Sequence, residues 1–303
     1  MSFPSSPSSP SRSPSSHAVF PPSTLSARTI GNGDLVVCLH SSAGTQGQWQ
    51  HLADRLSPRW QVLCPDLHGH GRSPAWPSAA MNTLHVDAHA VTALIEATRP
   101  DIDRRGLHLV GHSYGGAVAL QIALRHPGRV RSLTLYEPVA FGVLRETAPR
   151  DPSLLEITDV SHSVRGLLNR GEVDAAAAVF VGYWAGGQAG WEQTPAAQRD
   201  AIARRMPMVP RHFDALFNAR WHKALLARLS ATPILLMHGA RTRTPARRVA
   251  DLLAHALPHV RRHEVAGAGH LGPMTHEKAV ADTMARSIDP ALAQGLDRVA
   301  MAA

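Results

Sequence analysis

The five residues Gly111-His112-Ser113-Tyr114-Gly115 constrain this chain more than any other stretch. They join an apolar, strand-like run, Leu107-His108-Leu109-Val110, to a helix-like one, Ala117 to Arg125. A strand that turns straight into a helix around a serine holds that serine in a strained backbone conformation with its hydroxyl exposed. The turn is too tight for side chains two residues to either side, which would meet the neighbouring strand or helix, and Gly111 and Gly115 remove them. With 23 glycines and 23 serines in 303 residues the five-residue pattern can arise by chance, so its weight comes from the elements around it.

From about Ile30 onward, apolar β-rich runs alternate with helix-like segments, the pattern of a mostly parallel sheet with helices on both faces. The predicted strands are Leu35 to Leu39, Gln61 to Cys64, Leu107 to Val110, Val130 to Leu135, Pro233 to Met237 and His263 to Val265. Predicted helices are Gln48 to Leu56, His85 to Thr98, Ala117 to Arg125, Ala246 to Leu257 and Glu277 to Ser287, with Gly and Pro at the joins. Between Val139 and about Ser230 the alternation stops and helical patterns take over. That stretch holds eight of the fifteen aromatic residues. A helical cap over the sheet fits both facts, and Phe141, Tyr183, Trp184 and Phe217 are the candidates for an apolar pocket beneath it. The expected organisation is a Ser/Pro-rich arm over 1–27, an α/β core from 28–138 and 231–290, a cap over 139–230 and a tail over 291–303.

A chain of this length can bury a full core as one large α/β domain with an insertion. The net charge is +8, yet 29 of the 31 basic residues are arginines scattered without a basic stripe or interleaved aromatics, which argues against a nucleic-acid surface. The excess of positive charge favours anionic substrates or surfaces weakly. Two cysteines, Cys38 and Cys64, lie at the ends of strand-like runs and read as buried reduced thiols; they cannot frame a metal site. The first 27 residues hold eleven Ser and six Pro, too little apolar surface to offset the entropy of ordering, and they lack the continuous apolar segment of a signal peptide. No later stretch approaches the length of a membrane span. The expectation is a cytoplasmic protein whose partner is a small molecule, with no nucleic acid and no membrane.

Serine is a poor nucleophile near neutral pH unless a histidine takes its proton and a carboxylate orients that histidine. Among nineteen histidines, His270 stands out: Gly267-Ala268-Gly269-His270 follows the last strand and precedes the last helix, at the end of the sheet that carries Ser113. His68 and His70 belong to a glycine-bounded loop, and His112 points away from its neighbour's hydroxyl if the turn is as described.

Four segments in this order resemble the α/β-hydrolase superfamily, of the kind with a helical cap. They are His40-Ser41-Ser42-Ala43-Gly44, Pro65-Asp66-Leu67-His68-Gly69-His70-Gly71-Arg72-Ser73, the turn at Ser113, and Gly267-Ala268-Gly269-His270, and together they span the chain from about 30 to 288. The resemblance implies a twisted, mostly parallel sheet of about eight strands, a Ser, acid, His triad in that chain order, and an oxyanion hole of two backbone amides. One amide would be that of Tyr114. The other would be that of Ser42, in a loop where Ser41 replaces the glycine usual in relatives.

A second departure is larger. Relatives usually read Gly-x-x-Asp after the strand Pro233 to Met237, whereas this chain has Gly239-Ala240-Arg241-Thr242, and threonine cannot supply a negative charge. The nearest alternative is Glu137 in Leu135-Tyr136-Glu137-Pro138, at the end of the strand next to that of Ser113, where some relatives resemble this chain in placing the acid. The bland alternative is that Glu137 only anchors the start of the cap. Asp66 reads as a structural turn residue, and Asp87 and Asp251, inside predicted helices, as solvated faces.

These residues imply a cofactor-free, metal-free serine hydrolase that cleaves an ester or related acyl bond of a small, largely apolar molecule through an acyl-enzyme. Two alternatives stand beside it: a carbon-carbon bond hydrolase or cofactor-free lyase using the same residues, and a ligand receptor that kept the pocket but lost turnover.

Overall fold

A computed structural model describes residues 25–77, 81–257 and 259–292. The expected arm and tail therefore fall largely outside the described residues. Seven strands form one sheet: β1 (Ala27–Ile30), β2 (Asp34–Leu39), β3 (Trp60–Pro65), β4 (Leu107–His112), β5 (Val130–Tyr136), β6 (Ile234–Gly239) and β7 (Arg261–Val265). Their spatial order is β1-β3-β2-β4-β5-β6-β7, all parallel except β1, which pairs antiparallel with β3. The count is seven among the described residues rather than about eight, because the eighth was implied by family resemblance and no apolar run supplies it. The added edge strand, Ala-Arg-Thr-Ile, is too short and too polar to stand out in the sequence.

The central strands are apolar on both faces, as a sheet covered on both sides requires. In β2, Leu35, Val37 and Leu39 face one core, which the helices α2 (Leu84–Thr98), α3 (Tyr114–Arg125) and, further along the chain, Thr244–Ala256 cover. Val36 and Cys38 face the other, shared with α1 (Gln50–Leu56) and the last helix, Glu277–Ile288. The side chains alternate with the two-residue period of the pleat. Cys38 and Cys64 lie on that second face as free, buried thiols.

Between β5 and β6 every element is helical, with α4 (Gly142–Thr147), α5 (Pro152–Asn169), α6 (Val173–Ala185) and α7 (Val209–Asn218) as the main parts. Asp151 caps α5 by accepting from the Ser153 amide at 3.0 Å and also pairs with Arg248 on the core at 2.7 Å. Arg205 reaches the Gly44 carbonyl and Arg243 the Tyr183 carbonyl, so the insertion is fastened to the loops at the carboxyl ends of the strands. No helix among the described residues is long and apolar enough to cross a membrane.

Asp87 is not the solvated side chain expected from its place in a helix. It is fully buried: Oδ1 accepts from the His68 amide and faces His68 Nδ1 at 2.7 Å, and Oδ2 accepts from the Tyr114 hydroxyl at 2.8 Å. The inward face of α2 meets the start of α3 there, and polar partners from two other segments make the buried carboxylate tolerable. Asp251 stays on the surface side of its helix, paired with Arg262.

Candidate active site

Parallel neighbours bring Ser113 and Glu137 to one height. His112 pairs with Tyr136 and Tyr136 with Met237, so the residues that follow β4 and β5 emerge side by side. The Ser113 amide donates to the Tyr136 carbonyl and the Glu137 amide to that of Met237, extending the ladder one step past the strands. At Gly111 a side chain would run into the backbone of Gly115 and Gly116, and at Gly115 into the carbonyls of Leu39 and His40.

Three non-glycine residues among those described have positive φ: Ala43 at 56°, Ser113 at 55° and Glu137 at 42°. Each such conformation costs on the order of 1–3 kcal/mol and persists only where the surroundings impose it. All three lie at the same end of the sheet, one at the serine turn, one at the acid and one beside Ser42.

The His270 ring links the first two. Its Nε2 lies 2.9 Å from Ser113 Oγ, and its Nδ1 lies 2.7 Å from Glu137 Oε2. Glu137 Oε1 accepts from the Gly239 amide at 2.8 Å. A carboxylate can only accept, so Nδ1 carries the proton and Nε2 is left to accept from the serine hydroxyl. Burial alone would raise the Glu137 pKa, but the hydrogen bond and charge of His270 and the bond from the Gly239 amide outweigh it and hold the carboxyl below its usual range. Glu137 is 0% exposed and His270 3%. The His270 loop is fixed from below, where His112 Nε2 donates to the His270 carbonyl and the Tyr136 hydroxyl to that of Gly269. From above, Trp184 of α6 stacks on the imidazole with 3.9 Å between ring centroids.

Neutral histidines brace the loop at Ser42. His40 donates through Nδ1 to the Ser41 carbonyl and accepts at Nε2 from the Leu67 amide. His70 likewise donates to the His68 carbonyl and accepts from the Ala43 amide. Burial pushes His40 down to about 4 and His70 to about 3, so each keeps its acceptor nitrogen near neutral pH. Ser41, in place of the usual glycine, bonds Gln48 Oε1 through both amide and hydroxyl. Asp66 accepts from the Gln46 side chain and the amides of Gln46 and Arg72, well away from His270.

A small cleft at the serine adjoins a larger cavity whose wall does not include the serine. The inner cleft, about 10 Å3, is bounded by Ser42, Ser113, Phe141, Phe180, Trp184 and Phe213 among others. The outer vestibule, about 1090 Å3, shares Ser42, Phe180 and Trp184 with it and opens between the insertion and the strand-end loops. Of the aromatic residues expected to line a pocket, Phe141 and Trp184 do so. Tyr183 and Phe217 do not: the Tyr183 hydroxyl donates to Glu156, and Phe217 packs behind Phe213 and Phe141. Helical periodicity placed each on the cap but could not tell which side of its helix would face the cleft.

His212 of α7 is a site residue that the sequence did not disclose. It is buried on the cleft wall, its Nδ1 is 2.7 Å from Ser42 Oγ, its ring stacks on Tyr114, and its Nε2 has no partner. No motif surrounds it, and only the fold brings it across to Ser42. Among the described residues no group of three or more His, Cys, Asp or Glu is arranged to hold a metal ion.

The family model described as alpha/beta hydrolase fold matches residues 34–277. The chain belongs to that family. It is 29% identical to a pimeloyl-(acyl-carrier protein) methyl ester esterase of Chromobacterium violaceum over 88% of this chain and 98% of that protein. The protein of the same name from Nitrosomonas europaea is 28% identical over 82% of this chain and 92% of its own length. A solved hydrolase from Pseudomonas aeruginosa PA01 shares the fold, with a TM-score of 0.70, 23% identity, and coverage of 88% and 94% of the two chains.

Proposed function

We propose that this α/β hydrolase cleaves carboxylic esters with a small alkyl group through an acyl-enzyme on Ser113. That it is a carboxylic ester hydrolase rests on relatives of that activity matched over most of both chains. The observation that carries the mechanism is the unbroken chain from Ser113 Oγ through His270 to Glu137, at 2.9 and 2.7 Å. His270 Nε2 removes the serine proton as Oγ attacks the ester carbonyl, and the imidazolium returns that proton to the departing alcohol. Glu137 holds the tautomer that leaves Nε2 free and stabilises the imidazolium. The backbone amides of Tyr114 and Ser42 receive the oxyanion, with the strained Ala43 and its partner His70 fixing the Ser42 end. Water activated by His270 then releases the acid.

The inner cleft supports a small group there, because about 10 Å3 is close to the least that holds a single water. The rest of the substrate lies in the vestibule. A receptor reading loses its main support, since the charge missing at Thr242 is present at Glu137. The setting we propose is cytoplasmic, where free thiols such as Cys38 and Cys64 persist. A panel of p-nitrophenyl esters and thioesters, followed by methyl and butyl esters of one acid, tests the reading. A burst of p-nitrophenol and a preference for methyl over butyl support it. Tight binding without turnover refutes the enzyme, and a preference for butyl refutes the small-group assignment.

A further inference from the structure

Arg205, Arg241 and Arg243 line the outer vestibule, and none of the three forms an ion pair with a carboxylate among the described residues. Arg205 donates to the carbonyls of Ala201 and Gly44, Arg241 to that of Gly267 through two nitrogens, and Arg243 to that of Tyr183 while lying over its ring. Elsewhere the arginines commonly reach an acid, as Arg28, Arg105, Arg129 and Arg248 do. Among the described residues Glu156 is the one acid on the vestibule wall, and it accepts from the Tyr183 hydroxyl. Three guanidiniums against one carboxylate leave the chamber positively charged. Each guanidinium has five N–H donors in a planar fork, and backbone carbonyls occupy only some of them.

Two of these arginines stand on the loop after β6, either side of Thr242. A carboxylate at 242 would stand between two arginines in sequence and add a negative charge to the loop that carries them. Because the carboxylate that meets His270 is the buried Glu137, approached from β5, this loop is free to present positive charge to the chamber.

We propose that the vestibule is an anion subsite, in which Arg205, Arg241 and Arg243 bind a carboxylate or phosphate carried by the larger part of the substrate. The inference rests on the ester-hydrolase reading for its orientation: the small alkyl group enters the inner cleft, and the charged end projects toward the arginines. Guanidinium forks match both oxyanions and bind them more strongly than a neutral end group. The preferred substrates are thus monoesters of diacids, or esters bearing a terminal phosphate.

The test compares kcat/KM for paired esters with the full chain: monomethyl and dimethyl esters of dicarboxylic acids from succinate to sebacate, and a methyl ester ending in phosphate. A preference of about tenfold or more for one anionic form over the diester at some chain length, or about 1.4 kcal/mol, supports the subsite. That preference should shrink with added salt. It should collapse toward unity in Arg205→Gln and in Arg241→Gln/Arg243→Gln, persist in Arg241→Lys/Arg243→Lys, and be untouched by Arg104→Gln, far from the vestibule. Whether the carboxylate or the phosphate series gains identifies the anion. Equal rates for charged and neutral esters, or a preference that survives loss of the arginines, overturns it. If the wild type hydrolyses none of these esters, the ester reading fails, and calorimetry of free dicarboxylates and of inorganic phosphate with the wild type and the arginine variants decides the subsite alone. Saturable binding that the Gln variants lose sustains it, and absence of binding refutes it.

Discussion

Glu137→Gln isolates the charge of the proposed acid while keeping its size. The native carboxylate is 0% exposed, accepts from Gly239 through one oxygen and faces His270 Nδ1 at 2.7 Å through the other. An amide has one oxygen. If that oxygen stays with the Gly239 amide, the NH2 faces Nδ1, which must then be the acceptor, so Nε2 carries the proton and cannot take the serine's. If the amide is turned, its NH2 opposes the Gly239 N–H, and two buried donors face each other. Either way the imidazolium formed during attack loses its counter-charge. At a charge separation of about 4 Å and an effective dielectric of about 20, that attraction is ~4 kcal/mol. At about 1.4 kcal/mol per decade this is a loss of roughly a thousandfold in kcat. Initial rates on p-nitrophenyl acetate, with circular dichroism to confirm folding, measure it. Turnover within about tenfold of wild type would refute the role of Glu137. Adding Thr242→Asp to the Glu137→Gln variant should restore part of the rate, because the Thr242 side chain faces the same carboxylate position from β6.

Ser113→Ala should abolish labelling by a fluorophosphonate; undiminished labelling would place the nucleophile elsewhere. His270→Ala should lower kcat by several orders of magnitude on the same ester, and near-normal turnover would mean that another histidine is the base. Asp87→Ala should cost about 3 kcal/mol in urea unfolding, because it leaves His68 Nδ1 and the Tyr114 hydroxyl buried without their acceptor, and a change under about 1 kcal/mol would contradict this. Acid should destabilise the fold beginning near pH 6.5: His40 and His70 take up protons there only when unfolded, since burial holds them at about 4 and about 3 in the folded chain. The unfolded state then binds more protons, so stability is full above pH 6.5 and falls as pH drops toward 4. The lowered carboxylates Glu137 and Asp87 add their loss further down, beginning in the ordinary carboxyl range where the unfolded chain takes up their protons and ending below it where the folded chain does. A urea midpoint equal at pH 7 and pH 5 would show that these histidines are not held neutral.

The strands and the serine turn were legible because they rest on local rules: apolar runs bounded by glycine or proline, and two glycines that a tight turn demands. Six of the seven strands stood out, while the four-residue β1 did not, since an edge strand of mixed polarity carries no periodic signal. His270 was legible from its loop, and Glu137 only through an absence, the threonine where relatives carry an acid. What escaped depended on rotation of helices and on contacts distant in sequence. Asp87 looked solvated on a helix whose burial only α3 and the His68 loop decide. His212 meets Ser42 across 170 positions of chain. Tyr183 and Trp184 are adjacent in sequence with rings 4.8 Å apart, yet Trp184 lines the cleft and Tyr183 does not, a distinction that composition cannot make.

The proposed acid, Glu137, connects the two halves of the site. Glu137 follows β5 directly, so its amide continues the strand ladder to Met237 and its carboxylate reaches His270 without a loop of its own. That economy has a conformational cost, seen in its φ of 42°, which the buried bonds to His270 and Gly239 offset. It also relieves the loop after β6 of any need for a negative charge. Here the same loop carries Arg241 and Arg243 into the vestibule, while Glu137 lies beneath it, shielded by burial. Restoring the usual acid should therefore trade one function against the other. Thr242→Asp alone, with Glu137 intact, should leave a triad but draw the two guanidiniums inward, lowering any preference for anionic esters more than it lowers turnover of neutral ones. If both fall together, the loop and the triad are not separable, and the division of labour between β5 and β6 is wrong.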